Sequence, residues 1–220
     1  MSKSVVHLHA HTEYSMLDGA AKIQTYIDRV KELAQPAAAI TDHGNLYGAL
    51  EFYNIAKKNG VKPIIGYEAY ITTESRFERP DRDKNKRFHL TLLAENNEGY
   101  WNLVSLASKA FTDGYYYKPR LDYELLREHS KGVIALSGCL GGEIAQHFAP
   151  DGSVEEGNNQ GERSYQKALD KAVLYQNIFG EENFYIELHN HGIKQQELIL
   201  PDLLKISNEI SDPLVATNDL

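Results

Sequence analysis

Two periods alternate along this chain. Short apolar runs of strand length recur at residues 5–9, 37–41, 61–67, 89–94, 133–136, 184–188 and 214–216. Between them apolar residues fall at helical spacing, as in Ile23, Ile27, Val30 and Leu33, and again in Leu103, Leu106 and Ala110. Strand–helix alternation predicts an α/β chain with a parallel sheet or barrel. Two stretches break the rhythm. Residues 73–87 are dense in charge and contain Pro80, and residues 149–161 are rich in glycine, asparagine and acids. Both read as exposed, mobile loops.

The polar residues refine this picture, because side chains able to bind metal gather where strands should end. The first island is His7-Leu8-His9-Ala10-His11, with Asp18 following. Alternate strand residues share a face, so His9 and His11 can approach one ion, with Asp18 returning across the next loop. His7 is surplus and is assigned to support or packing. The second island, Asp42-His43-Gly44-Asn45, offers His43 as a ligand, Asp42 to orient it, and Asn45 as a helix cap. Glu68 follows the third apolar run, and its two oxygens could bridge two ions. His89 opens a strand, Cys139 sits in a Ser-Gly-Cys turn, and Asp219 lies just past the last run. Alone, a histidine or cysteine beside apolar residues is more often a packed core residue. Together, His9, His11, Asp18, His43, Glu68, His89, Cys139 and Asp219 form the donor set of a multinuclear site. Such sites occupy the C-terminal face of a barrel, which favours the barrel over an open sheet. Nitrogen- and sulfur-rich donors suit Zn²⁺ or Mn²⁺ better than Mg²⁺, which prefers oxygen ligands. The segment Tyr115-Tyr116-Tyr117-Lys118-Pro119-Arg120 has the makings of a strand-end grip, with tyrosines to stack bases and Lys118 and Arg120 to hold phosphate. A second His-x-His, His189 and His191, follows the sixth run; His191 is a further candidate phosphate contact.

Composition sets bounds. The chain has 220 residues, 42% hydrophobic and 25% charged, which suits one domain spanning 1–220. No run is long enough to span a membrane, no signal peptide is apparent, and one cysteine excludes an internal disulfide. These features predict a cytoplasmic protein. The net charge of −8 argues against a general electrostatic grip on nucleic acid, although bound divalent cations would reverse the sign of an acidic pocket.

The segments 6–19, 41–45, 63–68, 89–103 and 216–220 together resemble the polymerase and histidinol phosphatase (PHP) superfamily. Within it they are most similar to the branch at the N-terminus of bacterial replicative DNA polymerase alpha subunits. The resemblance covers essentially the whole chain. It implies a distorted (β/α)7 barrel with two to three divalent ions at the C-terminal face. Of the family's nine ligand positions, eight fall on the residues named above. The ninth, a histidine two residues beyond Asp219, lies past Leu220, and the expectation is an N-terminal fragment of a much longer polymerase.

The implied activity is metal-dependent hydrolysis of a phosphodiester at a DNA primer 3′ end, 3′–5′ proofreading within a DNA-directed DNA polymerase. Partners would be the downstream polymerase domains, a separate proofreading exonuclease subunit and other holoenzyme subunits. Two rivals remain at this point. One is a scaffold that stabilises the polymerase and docks the proofreading subunit. The other is a stand-alone phosphomonoesterase acting on a small metabolite.

Overall fold

A computed structural model of the protein describes residues 5–16, 18–81, 86–148 and 164–220. The elements in order are α1 (Ile23–Glu32), β1 (Ala37–Ile40), α2 (Ala49–Lys58), β2 (Lys62–Ile71), β3 (Phe88–Ala94), α3 (Asn97–Thr112), β4 (Arg120–Leu121), α4 (Tyr123–Glu128), β5 (Val133–Leu136), α5 (Glu143–Gln146), α6 (Tyr165–Phe179), β6 (Phe184–Leu188), α7 (Lys194–Ile210) and β7 (Leu214–Ala216). The stretch 149–161 lies outside the described residues, as do residues 82–85 of the other expected loop.

The strands form one curled sheet in the order β1-β2-β3-β5-β6-β7, with β4 paired beside β2. Residues 5–9, expected as a strand, form no regular one. Their neighbourhood instead bridges the two sheet edges. Ala39 N–H donates to His7 O at 3.2 Å and Thr41 N–H to Ala10 O at 2.9 Å, while His11 N–H donates to Leu220 O at 2.6 Å and Leu220 N–H to His9 O at 3.2 Å. This segment draws the sheet into a distorted barrel of the α/β type.

The sheet is mixed, which corrects the expectation of wholly parallel strands. β3 runs antiparallel to both neighbours, β2 and β5. The remaining pairings are parallel.

Strand periodicity sorts the side chains. Tyr67, Ala69, Ile71, Leu90, Leu92, Val133, Ala135, Phe184 and Ile186 face outward and are buried under α3 to α7. Leu103, Leu106 and Ala110, the helical repeat seen in the sequence, meet them from α3. Ile23, Ile27 and Val30 of α1 pack with Phe52 and Ala56 of α2 over Ala38 and Ile40. Each such aliphatic burial stabilises the fold by roughly 1.5–3 kcal/mol.

The inward-facing positions divide by height. Leu8, Ala39, Ile64, Leu93, Ile134, Leu136, Tyr185 and Val215 plug one end with apolar side chains. Continuing two or four residues along the same strand faces leads to Glu68, Thr91, His89 and Glu187 at the other end. An apolar floor thus lies beneath a polar rim.

The described residues of the stretch 73–87 are mostly exposed, as its charge suggests, with one exception. Arg76 is buried, and its Nη1 donates to both carboxylate oxygens of Asp122, at 3.0 and 3.1 Å. Asp122 also caps α4, accepting from Leu125 N–H at 3.0 Å. One buried carboxylate therefore ties this loop to a helix start.

Candidate metal centre

Seven stretches of chain deliver side chains to the rim, one of them carrying Asp18. The 7–11 segment brings His9 and His11, the turn after β1 brings His43, β2 brings Glu68, the turn after β5 brings Cys139 and the chain after β7 brings Asp219. His89 stands at the beginning of β3, not past a strand end. Because β3 is reversed, its first residues lie at the rim where the parallel strands finish. That resolves why this histidine opens its apolar run.

Glu68 lies at the middle, 1% exposed. Its Oε1 is 2.9 Å from His89 Nδ1, 3.4 Å from His9 Nε2 and 3.8 Å from Cys139 Sγ. Its Oε2 contacts His43 Nδ1. On the other side His43 Nε2 is 2.5 Å from Asp18 Oδ2. Asp219 Oδ1 is 3.1 Å from His11 Nε2 and 3.4 Å from His9 Nε2. Seven of the eight residues singled out in the sequence thus line one cavity, and His9 lies buried behind it against Glu68 and Asp219.

Local chemistry fixes these positions. Gly44, at φ +66, takes a left-handed conformation that a side chain would strain, turning the chain directly after His43. Asn45 shapes that turn by accepting from Tyr47 N–H at 2.9 Å; it does not cap α2, whose N-cap is Gly48. Asp42 is buried and accepts from Thr12 N–H at 2.6 Å, Thr12 Oγ1 at 2.8 Å and Ser15 Oγ at 2.7 Å. Ser15 Oγ in turn accepts from His43 N–H at 3.0 Å and lies 3.2 Å from His11 Nδ1. Asp42 therefore orients two candidate ligands through one hydroxyl.

The electrostatics are those of a dense donor set with a buried centre, His9, His11 and Glu68, and a more exposed edge. Burial opposes ionisation of Glu68, but the His43, His89 and His9 imidazoles outweigh it and hold the carboxyl well below its usual range. Burial also opposes a charge on His9, yet Glu187 and Glu68 raise its pKa well above the ordinary imidazole value. Burial and then the Glu68 and Asp219 carboxylates push the Cys139 thiol far up, a setting that disfavours a free nucleophilic thiolate. His9 Nε2, His11 Nε2, His43 Nδ1 and Glu68 Oε2 are buried without a well-formed hydrogen bond. Polar atoms buried without a good hydrogen bond are costly, and here four of them cluster, each facing a carboxylate or an imidazole. Three groups, His9–His11–Asp219, His11–His43–Glu68 and Glu68–His89–Cys139, each have donor atoms within 4.8 Å of one another.

A family model for the PHP domain matches residues 7–191. The chain belongs to the PHP domain family. DNA polymerase III subunit alpha of Helicobacter pylori strain J99 is 46% identical over 218 residues, which cover 99% of this PHP chain and 18% of that protein. The Thermus aquaticus subunit of the same name is 49% identical over 222 residues, covering 97% of this chain and 17% of that protein. The chain thus spans less than a fifth of the curated relatives it matches. A solved structure from Bifidobacterium adolescentis, assigned as a metal-dependent phosphoesterase, superposes with a TM-score of 0.55 at 15% identity, covering 99% of this chain and 87% of its own. At that identity the likeness concerns the fold.

Three residues behind the PHP rim escaped the sequence reading as a unit. Glu187, fully buried, places Oε1 2.8 Å from His9 Nδ1 and 3.1 Å from His189 Nε2, and its Oε2 accepts from Gly138 N–H at 3.0 Å. Thr217 Oγ1 contacts Glu187 Oε1 and lies 2.8 Å from His189 Nε2. The readable signal was a lone carboxylate on the inward face of an otherwise apolar strand, residues 184–188.

The three expected substrate contacts fare differently. Lys118 lines the cleft that leads to His43 and His89, with Nζ 5.1 Å from the Tyr70 ring centroid. Arg120 is not available to a ligand, which corrects that expectation. It is fully buried, donating from Nε to Gly114 O at 3.0 Å and from Nη2 to Arg76 O at 3.0 Å and Glu78 O at 2.7 Å. His191 is exposed, but it does not line the cavity. Its Nδ1 lies 3.1 Å from Gln196 Nε2, and its N–H donates to Gln196 Oε1 at 2.8 Å, so it helps set the start of α7.

Among the described residues, no helix is long and apolar enough to cross a membrane.

Proposed function

We propose that the rim holds two to three divalent ions, Zn²⁺ or Mn²⁺, and hydrolyses phosphodiesters at a DNA 3′ end. The observation that carries this reading is the clustering of four buried donor atoms without a well-formed hydrogen bond, three of them on residues that line one cavity and the fourth, on His9, directly behind it. His9, His11 and Asp219 would hold one ion, with His43, Asp18 and Glu68 around a second and Glu68, His89 and Cys139 around a third. Glu68 is the shared member, since its two oxygens face different histidines. When bound, such ions polarise phosphoryl oxygens and acidify water, the chemistry that phosphodiester cleavage requires. The protein's own part is positional. Asp42 and Ser15 aim His11, Glu187 aims His9, and the apolar floor shuts water out from below. Cys139 acts as a ligand and not as a nucleophile.

Similarity to polymerase alpha subunits over nearly the whole of this chain supports placing it as the PHP module of a replicative DNA polymerase. On that reading the polymerase domains lie in the same chain, and primer DNA, a proofreading exonuclease subunit and other holoenzyme subunits are its cytoplasmic partners.

The test combines elemental analysis with hydrolysis of a 3′-labelled oligonucleotide. Two or three equivalents of zinc or manganese are expected after reconstitution. His11→Ala is expected to lower the hydrolysis rate on the order of 100- to 1,000-fold with the melting temperature preserved. No bound metal would sink the catalytic reading, and loss of the fold in His11→Ala would make the metal structural.

Glu187 gives a second test. A buried carboxylate on Nδ1 of His9 selects the tautomer whose Nε2 lone pair faces the cavity. Glu187→Gln is expected to weaken metal affinity about 10- to 100-fold, read by competition with a chromogenic chelator. Unchanged affinity would assign Glu187 to packing alone.

A further inference from the structure

A run of exposed aromatic rings borders the cleft that opens onto the metal centre. Tyr47 is 66% exposed, Phe111 38% and Tyr115 52%, although side chains of this kind are usually covered. Tyr47 belongs to the turn after His43, and its N–H is tied to Asn45 Oδ1. Phe111 comes from the last turn of α3, and Tyr115 from the turn that follows. The Phe111 ring centroid is 6.1 Å from Tyr47 and 6.1 Å from Tyr115, the latter pair stacked at 18°. All three line one cleft with Asp18, His43 and His89, and Lys118 and Arg87 line it too.

We infer that this run is a stacking track for the unpaired nucleotides at the 3′ end of a single strand. The inference rests on the proposed metal-dependent phosphodiesterase and names the form of its substrate. Ring centroids 6.1 Å apart, cations beside them and a phosphoryl-handling centre at the end match an extended single strand. Every base has a π-face, so such a track binds without reading sequence. A paired 3′ end keeps its bases stacked within the duplex and presents none to these rings. The track therefore selects frayed or single-stranded ends. Glu13, on the same cleft, repels a polyanion, and the net charge of −8 gives no general attraction. Affinity must then come from stacking more than from bulk electrostatics, with a shallow salt dependence as the consequence.

The test uses a single strand of about eight nucleotides, a length within the usual range for such grooves. It carries 2-aminopurine beside the 3′ end and a phosphorothioate at the last linkage, so that binding is read without turnover. The expected result is fluorescence quenching by the metal-loaded chain. Phe111→Ala and Tyr47→Ala are each expected to weaken binding about 5- to 100-fold. Phe111→Tyr should restore it, and Trp101→Ala, an exposed ring outside the cleft, should bind as the parent does. A blunt duplex carrying the same reporter should bind more weakly by a similar factor. Equal binding by Tyr47→Ala and Phe111→Ala, or equal binding of blunt duplex and single strand, overturns the track and leaves the rings as a protein-facing patch. Hydrolysis of bis(p-nitrophenyl) phosphate is measured alongside. Turnover of that small ester without quenching overturns the track alone. Quenching without turnover of the ester leaves the track standing and removes the catalytic reading.

Discussion

Glu68→Gln is expected to abolish hydrolysis, by on the order of 1,000-fold or more, and to lower the bound metal by at least one equivalent. The substitution keeps the shape of the side chain and removes its charge. Glu68 is buried and touches His9, His43, His89 and Cys139, so no neighbouring carboxylate can replace it at the middle of the cluster. An amide oxygen is a weaker ligand and cannot bridge, and the amide nitrogen would point a donor at atoms that must themselves donate lone pairs to a metal. Removing the charge also leaves the imidazoles without the anion that now compensates them, so the metal-free form should lose stability as well. Elemental analysis, thermal melting and oligonucleotide hydrolysis on one preparation separate these effects. A variant with full metal content and parental rates would show that the cluster is not a catalytic centre.

Much of this centre was legible because metal ligation needs a small set of residue types and a barrel puts them at strand ends. His9, His11, His43, Glu68, Cys139 and Asp219 each follow or end an apolar run, so local pattern sufficed. Strand direction was not legible. Period-two alternation is the same read either way, and only the pairing of β3 with β2 and β5 shows that it is reversed. The reversal explains His89, whose place before its apolar run was the one misfit among the islands. Glu187 was missed for a different reason. It ligates nothing in the proposed site and acts through His9, and a residue that works through a neighbour distant in sequence leaves only a faint local mark. The apolar run at residues 5–9 predicts a strand that the N-terminal segment does not form. That segment lies between β1 and the chain's last residues, and closure of the sheet shapes it more than its own propensity does.

Arg120 and Arg76 depart from the pattern in the opposite sense, since charge in a loop predicts exposure and both are buried. Arg120→Ala is expected to cost about 3–5 kcal/mol of stability, the order expected for leaving several buried carbonyls unsatisfied beside a new cavity. For a chain of this size that corresponds to a fall in melting temperature of roughly 10 °C. The guanidinium is wholly buried and gathers three carbonyls, Gly114, Arg76 and Glu78, from two separate stretches. It therefore fastens the 73–81 stretch to the turn that leads into β4, beside the Arg76–Asp122 pair. Truncation would strand those carbonyls away from water and leave a cavity. Arg120→Lys sharpens the test. A phosphate-binding role needs positive charge and would be partly rescued by lysine. A planar fork holding carbonyls in different directions would not, because one ammonium on a flexible stem cannot reproduce that geometry. The lysine variant should therefore melt nearly as low as the alanine variant, with its KM for an oligonucleotide unchanged at temperatures where it remains folded. A parental melting temperature with a raised KM would return Arg120 to the substrate.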